Sequence, residues 1–324
     1  MGERRCPACA GVETVERGAK NGVPLAECRA CATLYAAAGP AAGGFDYDGY
    51  YDESNLSVPD FVGARLDEIF ASFAPYRRTG RLLDIGCGAG SLLEAARRAG
   101  WEAHGTEVSR PAVEHARRAG FEVFCGDLSE APFPEGHFDV VTASEILEHL
   151  DDPRAMLGGV ARVLRPGGLF WATTPHARGL TARLLGLRWS AVSPPEHLQL
   201  FSVGGLRGML REAGFRRPRV TTRGCDPFEV WRVLRRQRAS NGTAAAHNGA
   251  AGQAGTAEQS GGAVQASAAD PVPAGGEGSV RVASAYRLNA ALMSNGATRA
   301  AKTALNAALG ATRLGDSLKV WAEK

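Results

Sequence analysis

The sequence predicts a doubly wound α/β fold that is preceded by a small metal-binding module, and three observations lead to this prediction. Residues 81–174 alternate short apolar segments with amphipathic ones, which is typical of parallel strands connected by helices. A glycine-rich segment directly follows the first of these apolar segments, at residues 82–85, as in a strand that turns into a helix. Two Cys-x-x-Cys pairs lie before this region. The chain of 324 residues is long enough for such a core.

Four cysteines near the N-terminus have the spacing of a four-thiolate zinc site, and these are Cys6, Cys9, Cys28 and Cys31. Strand-like residues and an Asn21–Gly22 turn between the pairs suit a β-ribbon. Disulfide bonds are the alternative, but a reducing cytoplasm disfavours them. Many such ribbons carry glycine after the second cysteine of each pair, whereas this chain has Ala10 and Ala32. We therefore predict a zinc ribbon over residues 1–40, with structural Zn²⁺ as its ion.

Residues 41–78 are predicted to hold a tyrosine-rich segment and a helix that leads into the first strand. The segment at 45–51 combines aromatic and acidic side chains, so it is either a solvated loop or part of a substrate pocket. Tyr50 and Tyr51 are the candidate pocket residues. Apolar residues at helical spacing between 59 and 76 predict the helix.

The first strand, turn and helix carry the strongest functional signal. Asp84 lies two residues before Gly86, and Gly86, Gly88 and Gly90 alternate at the predicted helix start. Glycine allows a sharp turn and a close ligand approach, and a helix N-terminus attracts polar groups. Glu107 ends the second strand, where nucleotide-binding units place a carboxylate for ribose hydroxyls. The strand, the glycine turn, the helix start and Glu107 together predict a site for a nucleotide-like cofactor. A tight turn without a ligand is the alternative.

The order of these elements resembles the class I S-adenosylmethionine-dependent methyltransferases. The Gly-x-Gly-x-Gly form resembles motif I of that family, because its third glycine comes one residue earlier than in the dinucleotide fingerprint. Apolar segments at 121–125, 138–143 and 169–174 follow as in the ubiquinone-type and related small-molecule methyltransferases. The resemblance implies a Rossmann-like sheet of seven strands whose antiparallel last strand lies between the fifth and sixth. It also implies S-adenosylmethionine as the cofactor.

The resemblance further implies how the cofactor is held. Asp84 would help to place its amino-acid portion, and the acid and the apolar residue that follow the third strand would contact the adenine. The predicted cofactor-binding residues are Asp84, Gly86, Gly88, Gly90, Glu107, Asp127, Leu128 and Ser144.

The predicted catalytic residues are one acid and two histidines. The methyl group of S-adenosylmethionine is already electrophilic, so the protein must align a nucleophile and, for a hydroxyl or carbon acid, accept its proton. His197 lies in a Pro-x-x-His-x-x-x-Phe-Ser segment that borders the substrate pocket in a subset of the family; a packing role is the alternative. Glu148 and His149 follow the fourth strand, near the reacting methyl group in the family. The predicted substrate pocket consists of Tyr50, Tyr51, His176 and Trp189.

Residues 79–236 are predicted to form the methyltransferase core, and the C-terminal part of the chain is predicted to complete it. Residues 237–280 contain almost no large apolar side chain and are predicted to be a disordered insertion. Residues 281–324 are predicted to form helices and the last strand of the core. A detached helical tail is the alternative.

The predicted function is methyl transfer from S-adenosylmethionine to oxygen or carbon of a small biosynthetic intermediate, such as a sugar or phenol. Sugar C-methyltransferases carry a similar four-cysteine N-terminus, which favours secondary metabolism, and the substrate is free or linked to a carrier or nucleotide. An RNA methyltransferase is the first alternative, and the mild net charge of +3 allows it, but the sequence shows no basic-aromatic stripe that would follow a phosphate backbone. A non-catalytic interaction protein on a methyltransferase scaffold is the second.

The sequence shows no apolar segment long enough to cross a membrane and no secretory signal. We therefore expect a cytoplasmic protein without a membrane span, as a monomer or homodimer, and without a nucleic-acid partner.

Overall fold

The computed structural model describes residues 4–38, 45–50, 60–235 and 296–324. The predicted disordered insertion at 237–280 and the pocket candidate Tyr51 lie outside these ranges. The strands, in chain order, are β1 (Thr14–Lys20), β2 (Val23–Cys28), β3 (Leu34–Ala36), β4 (Arg81–Ile85), β5 (Glu102–Glu107), β6 (Glu122–Cys125), β7 (Phe138–Ser144), β8 (Leu164–Pro175), β9 (Gln199–Leu200), β10 (Arg216–Arg223) and β11 (Ser317–Glu323).

Helices connect and cover these strands. They are α1 (Tyr47–Tyr50), α2 (Asp60–Phe73), α3 (Ser91–Arg98), α4 (Arg110–Arg118), α5 (Pro153–Val163), α6 (Leu180–Leu185), α7 (Val203–Glu212), α8 (227–235) and α9 (Gly296–Thr312). Single 3₁₀ turns follow α2 and α6. None of the helices in the described ranges has both the length and the apolar composition that a membrane crossing needs.

The large sheet has seven strands in the order β10-β11-β8-β7-β4-β5-β6. Strand β11 runs antiparallel to both β8 and β10, whereas the pairs that join β4 to β8 are parallel. This confirms the predicted α/β fold with an antiparallel last strand, and it excludes a wholly detached C-terminal tail. Strand β5 lies on one side of β4 and β7 lies on the other, so the order of the strands reverses at β4. A crevice opens at such a reversal, at the carboxyl ends of the parallel strands.

The core of the large sheet forms because its central strands are apolar on both faces. Phe138, Val141, Leu169 and Phe170 are fully buried in β7 and β8. Helices cover both faces of the sheet, and for example Leu157 of α5 packs on one face. Such burial on both sides is typical of parallel strands, and it fixes the strand ends that form the crevice.

Strand β8 begins earlier than the sequence predicts. The apolar segment at 169–174 predicts a strand that starts at residue 169, but β8 already starts at Leu164. The early start has two causes. The buried Arg165 Nε donates to Asp139 Oδ1 at 2.5 Å, and the end of β11 pairs beside the glycines, where Gly167 N donates to Lys324 O at 3.0 Å.

The N-terminal ribbon is joined by strand pairing to the part of the chain that follows β8, which the sequence did not indicate. Strands β1, β2 and β3 form a sheet that β9 extends, with Leu34 opposite Leu200 and Tyr35 opposite Gln199. Strand β9 belongs to the segment that carries His197. The ribbon is therefore fixed against one side of the crevice.

The two cysteine knuckles of the ribbon each hold an alanine in the left-handed conformation. Ala10 has φ +56° and Ala32 has φ +57°. Their amides donate to Cys6 O and Cys28 O at 2.8 Å, which closes each knuckle. The left-handed conformation strains any residue with a Cβ, so the chain tolerates strain at both positions where related ribbons carry glycine.

Replacing these alanines with glycine is expected to stabilise the ribbon. The variants Ala10→Gly and Ala32→Gly should each raise the free energy of unfolding by about 1 kcal/mol, because glycine removes the left-handed strain. Urea unfolding of the metal-loaded protein would measure the effect. The control is Ala30→Gly, an exposed turn position without a positive φ, which should give no gain; an equal gain there would contradict the strain argument.

Candidate active site at the carboxyl edge of the sheet

The glycine turn after β4 forms the floor of the crevice. Gly86, Gly88 and Gly90 have φ values of +64°, +52° and +90°. A Cβ atom on Gly86 would lie only 2.2 Å from Ile146 Cδ1. The turn therefore requires glycine both for its conformation and for its close approach to the segment after β7.

Glu107 at the end of β5 is held against this turn. Its side chain is only 5% exposed; Oε2 accepts from Gly88 N at 2.8 Å, and Oε1 accepts from Ser109 N at 2.9 Å. A carboxylate can accept about four hydrogen bonds. Two backbone donors therefore orient Glu107 and leave acceptor capacity for a ribose diol.

Asp84 lies beneath the turn and is almost completely buried, with 1% of its surface exposed. Burial raises its pKa to about 7; the charge of Glu107 adds to this, and a hydrogen bond from Thr142 opposes it. Thr142 Oγ1 donates to Asp84 Oδ1 at 2.6 Å. A cationic ligand nearby would favour the ionised carboxylate and would lower this pKa.

Binding of S-adenosylmethionine is consequently expected to tighten with pH. Asp84 has a pKa of about 7 without a ligand, so it is mostly neutral at pH 6 and mostly ionised at pH 8. The dissociation constant should fall about tenfold over this interval if the bound cation requires the ionised form. Calorimetric titration across this range measures it. Asp84→Asn should flatten the dependence, whereas the exposed control Asp127→Asn should retain it.

The remaining predicted cofactor residues lie at different depths. Asp127 is exposed, and its Oδ1 accepts from Ser129 N at 2.6 Å. Leu128 is buried in the core that α5 covers. Ser144 ends β7, with its hydroxyl 3.0 Å from Thr173 Oγ1. The structure thus places Asp127 and Ser144 at strand ends and Leu128 in the packed interior.

The three predicted catalytic residues come together in one cluster. One side-chain nitrogen or oxygen atom from each of Glu148, His149 and His197 lies within 4.8 Å of the other two. The two imidazole rings pack edge to face, with their centroids 4.6 Å apart. His197 Nδ1 lies 2.7 Å from Ala191 O, and His149 Nδ1 lies 3.0 Å from Glu196 O. A carbonyl oxygen only accepts, so each Nδ1 donates, and in the neutral form of each ring the lone pair lies on Nε2.

Burial sets the protonation of this cluster. It lowers the pKa of His149 to about 4, with His197 adding to the effect. Burial and the neighbouring Glu145 raise the pKa of Glu148 well above its usual range. Glu148 Oε2 accepts from Thr174 Oγ1 at 2.8 Å. Burial therefore favours the protonated form of Glu148 and the neutral form of His149. The same spacing would admit a divalent cation, but only if Glu148 lost its proton.

A tyrosine that the sequence analysis did not select lies against the cluster. The ring of Tyr47 packs edge to face against that of His149, with the two ring centroids 6.1 Å apart. Burial, followed by the charge of Glu196, raises the pKa of Tyr47 to about 12. The tyrosine-rich composition indicated this segment but not which ring faces the site. The side chain of Tyr50 and the whole of Tyr51, which were the predicted pocket residues, lie outside what the structure describes.

The other two predicted pocket residues occupy packed positions. His176 is buried; its Nδ1 lies 2.8 Å from Gly315 O, and burial lowers its pKa to about 4. Trp189 is buried in an apolar cluster with Leu25 of the ribbon and Leu185 of α6. Each side chain therefore holds elements together at the border of the crevice.

The four N-terminal cysteines converge on one point. Cys6 and Cys31 have their sulfurs 3.5 Å apart, as do Cys9 and Cys28, and all four sulfurs lie within 4.8 Å. Zinc–thiolate bonds of about 2.3 Å would give sulfur separations of about 3.8 Å in a tetrahedron. The contact between Cys6 and Cys31 raises the pKa of Cys6 and lowers that of Cys31 to about 5, as in a pair that shares one proton. The number, chemistry and spacing of these donors fit Zn²⁺.

Comparison with known proteins agrees with this geometry. A family model described as "Methyltransferase domain" matches residues 59–217. A ubiquinone biosynthesis O-methyltransferase from Thiobacillus denitrificans is 30% identical over 168 residues, which are 47% of this chain and 72% of that protein. The chain belongs to the methyltransferase family.

Other relatives match the methyltransferase domain over a smaller part of their length. The 27-O-demethylrifamycin SV methyltransferase of Amycolatopsis mediterranei is 35% identical over 131 residues, which are 38% of this chain and 48% of that protein. The chain spans about half the length of several such curated relatives. A solved S-adenosylmethionine-dependent methyltransferase from Archaeoglobus fulgidus is 19% identical with a TM-score of 0.49, covering 86% of this chain and 100% of that one.

Two further residues border the site of this methyltransferase without having been predicted. Gln199 lies on β9, two residues after His197, and Arg4 lies in the ribbon. No pattern in the sequence indicates either residue, because their proximity depends on the pairing of β3 with β9.

Proposed function

We propose that this protein transfers the methyl group of S-adenosylmethionine to an oxygen atom of a small molecule. The observation that carries the proposal is that the cofactor-type crevice adjoins a proton-accepting cluster. Ile146 packs against Gly86 in the glycine turn, and Glu148 and His149 follow Ile146 in the same segment. The ring of Tyr47 contacts that of His149, and burial, the charges of Glu196 and Asp151, and that of Glu107 raise the pKa of Tyr47, so this tyrosine lies near both sites.

The residues of the crevice divide into holding and proton-handling groups. The glycine turn, Glu107 and Asp84 would hold the nucleoside and the cationic end of the cofactor, which supplies an electrophilic methyl group. His197 would accept the proton of the nucleophile at Nε2, because its Nδ1 is oriented by Ala191 O. The neutral Glu148 would donate a hydrogen bond toward the acceptor. Alignment in a buried crevice would supply much of the rate.

The acceptor class is inferred from chemistry and from the relatives. Two of the curated relatives carry names of O-methyltransferases, one for ubiquinone biosynthesis and one for a rifamycin. A neutral imidazole beside a neutral acid suits a weakly acidic hydroxyl such as that of a phenol or sugar. The alternative methyl acceptor is an acidic carbon of a sugar, since its deprotonation requires the same base.

We also propose that the four-cysteine cluster holds structural Zn²⁺. Four thiolates around one point leave no coordination position open for a substrate, which is typical of structural sites. None of the seven cysteines forms a disulfide bond, and such cysteines suit the reducing cytoplasm as the place of the reaction.

Transfer of labelled methyl tests the proposed function. The purified protein is incubated with methyl-labelled S-adenosylmethionine and fractionated cell extract, and the labelled product is identified by mass spectrometry. We expect label in a small organic fraction, as an O-methyl group. Glu107→Ala provides the background, because it removes the oriented carboxylate. Failure of the wild-type protein to bind the cofactor at millimolar concentration would support the scaffold alternative instead.

A further inference from the structure

One buried amide connects the two segments that carry the histidines. Gln199 is 1% exposed, and its Nε2 donates to Leu147 O at 2.7 Å and to Leu150 O at 2.8 Å. These two carbonyls flank Glu148 and His149 in the chain. The side chain of Gln199 therefore closes the turn that presents both residues to the crevice.

The backbone adds to this connection. Leu198 N donates to Glu148 O at 2.8 Å, and Gln199 N approaches the same oxygen at 3.3 Å. His197 immediately precedes this pair of residues. The position of His197 relative to His149 is thus fixed by contacts within three consecutive residues, 197–199.

The ribbon holds the other end of the same amide. Arg4 Nη2 donates to Gln199 Oε1 and to Asp151 O, both at 2.9 Å. Its Nη1 lies 3.4 Å from Leu198 O, and Arg4 N donates to Ala37 O at 3.0 Å within the ribbon. Arg4 lies two residues before Cys6, so the ribbon holds the Oε1 end of the amide while the turn at 147–150 holds its Nε2 end.

We propose that Gln199 is a positioning residue that, together with Arg4, fixes the separation of the His149 and His197 rings. The inference rests on the proposed function, because it makes the ribbon part of the methyl-transfer site. Only an amide fits this position, since the side chain must donate twice to carbonyls and also accept from a guanidinium. A buried side chain with all three bonds satisfied holds one geometry, because loss of any bond leaves a buried polar group without a partner.

Three variants test the proposal in the full-length, metal-loaded protein. Gln199→Glu keeps the shape and the acceptor for Arg4 but removes both donors to the turn. Arg4→Met removes the connection from the ribbon, and the double variant tests whether the two act through one path. Arg17→Met is the matched control, because Arg17 forms only an exposed ion pair with Glu27 on the ribbon surface.

We expect the two variants to lower kcat without weakening the binding of the cofactor. Gln199→Glu should lower kcat, measured with labelled cofactor and the acceptor fraction, by about thirtyfold, which corresponds to the loss of two buried hydrogen bonds. Amide exchange at 147–150 should accelerate to a similar degree. The dissociation constant for S-adenosylmethionine should stay within about twofold and the zinc content should not change. Arg4→Met should lower kcat about tenfold, and the double variant should be no slower than Gln199→Glu alone.

The position of the rings gives an independent measurement. NMR titration should show the pKa of His149 rising from about 4 toward its ordinary value in Gln199→Glu, because a displaced ring is less buried. Exchange and titration identical to wild type in both single variants would overturn the proposal, as would kcat losses that multiply in the double variant. If Gln199→Glu fails to fold, Arg4→Met alone decides by the same measurements.

These results distinguish the inference from the function on which it rests. Absence of methyl transfer in the wild-type protein, with exchange and titration changed as expected, would overturn the proposed function while the connection stands. Normal methyl transfer in every variant would overturn the positioning role while the proposed function stands.

Discussion

Replacing one cysteine of the four-cysteine cluster is expected to unfold the ribbon while the large sheet stays folded. Cys28→Ser should lose bound zinc, because a hydroxyl is a poor substitute for a thiolate, and structural zinc sites contribute about 10–16 kcal/mol to folding in small domains. Strands β1–β3 bury few large side chains besides Leu25 and Tyr35. The large sheet has its own core in β7 and β8 and should persist. Metal analysis and amide exchange over residues 4–38 measure both parts.

The same variant should also slow methyl transfer by at least about tenfold, because β3 would no longer pair with β9. The control is Cys225→Ser, since Cys225 is a free thiol outside the four-cysteine cluster. It should retain zinc, ribbon protection and activity. An ordered ribbon in the Cys28→Ser protein, with protected amides and no metal, would contradict the zinc assignment.

Replacing His197 with alanine should produce the largest loss of turnover among the proton-handling side chains of the crevice. Its Nε2 carries the lone pair that would take the proton of the acceptor, and removing a general base typically costs 10²-fold or more, so we expect roughly 10²-fold lower kcat. The cofactor dissociation constant should not change, because the glycine turn and Glu107 remain intact. Labelled methyl transfer and calorimetry measure the two effects separately.

The neighbouring histidine is the informative comparison. A pKa of about 4 makes His149 a weak base at neutral pH, so His149→Gln should cost less activity than His197→Ala. His115→Ala, in the last turn of α4, is the remote control and should be neutral. Equal rates for wild type and His197→Ala would contradict the assignment of the base; a larger loss in His149→Gln would move that role to His149.

The local sequence predicted the elements that form the crevice. Strand β4, the glycine turn and helix α3 follow from an apolar segment, three alternating glycines and helical spacing within a short stretch of chain. The structure places Glu107 against Gly88, as expected for an acid at the end of the next parallel strand. Sequence periodicity could fix these features because adjacent parallel strands end at the same edge of the sheet.

Prediction from the sequence was less complete where a contact joins distant segments. The start of β8 depends on Arg165 meeting Asp139 and on the C-terminal residue pairing beside Gly167. The tyrosine-rich segment was recognised, but which ring meets His149 depends on how that segment crosses the crevice. Local composition does not encode either contact.

The amino-acid sequence by itself determined the order of strands and helices, the glycine turn with its acidic partners, and the four-cysteine cluster. Each of these features can be recognised from the spacing of residues, because helix and strand geometry set the intervals at which residues of one kind recur. Only the tertiary structure decided that the ribbon joins the core through β9, and that Arg4 and Gln199 meet behind the histidines. The contact between Arg4 and Gln199 spans 195 residues of chain, and the β3–β9 pairing joins Leu34 to Leu200. Such long-range contacts are selected by burial and complementary hydrogen bonding, which have no period in the sequence.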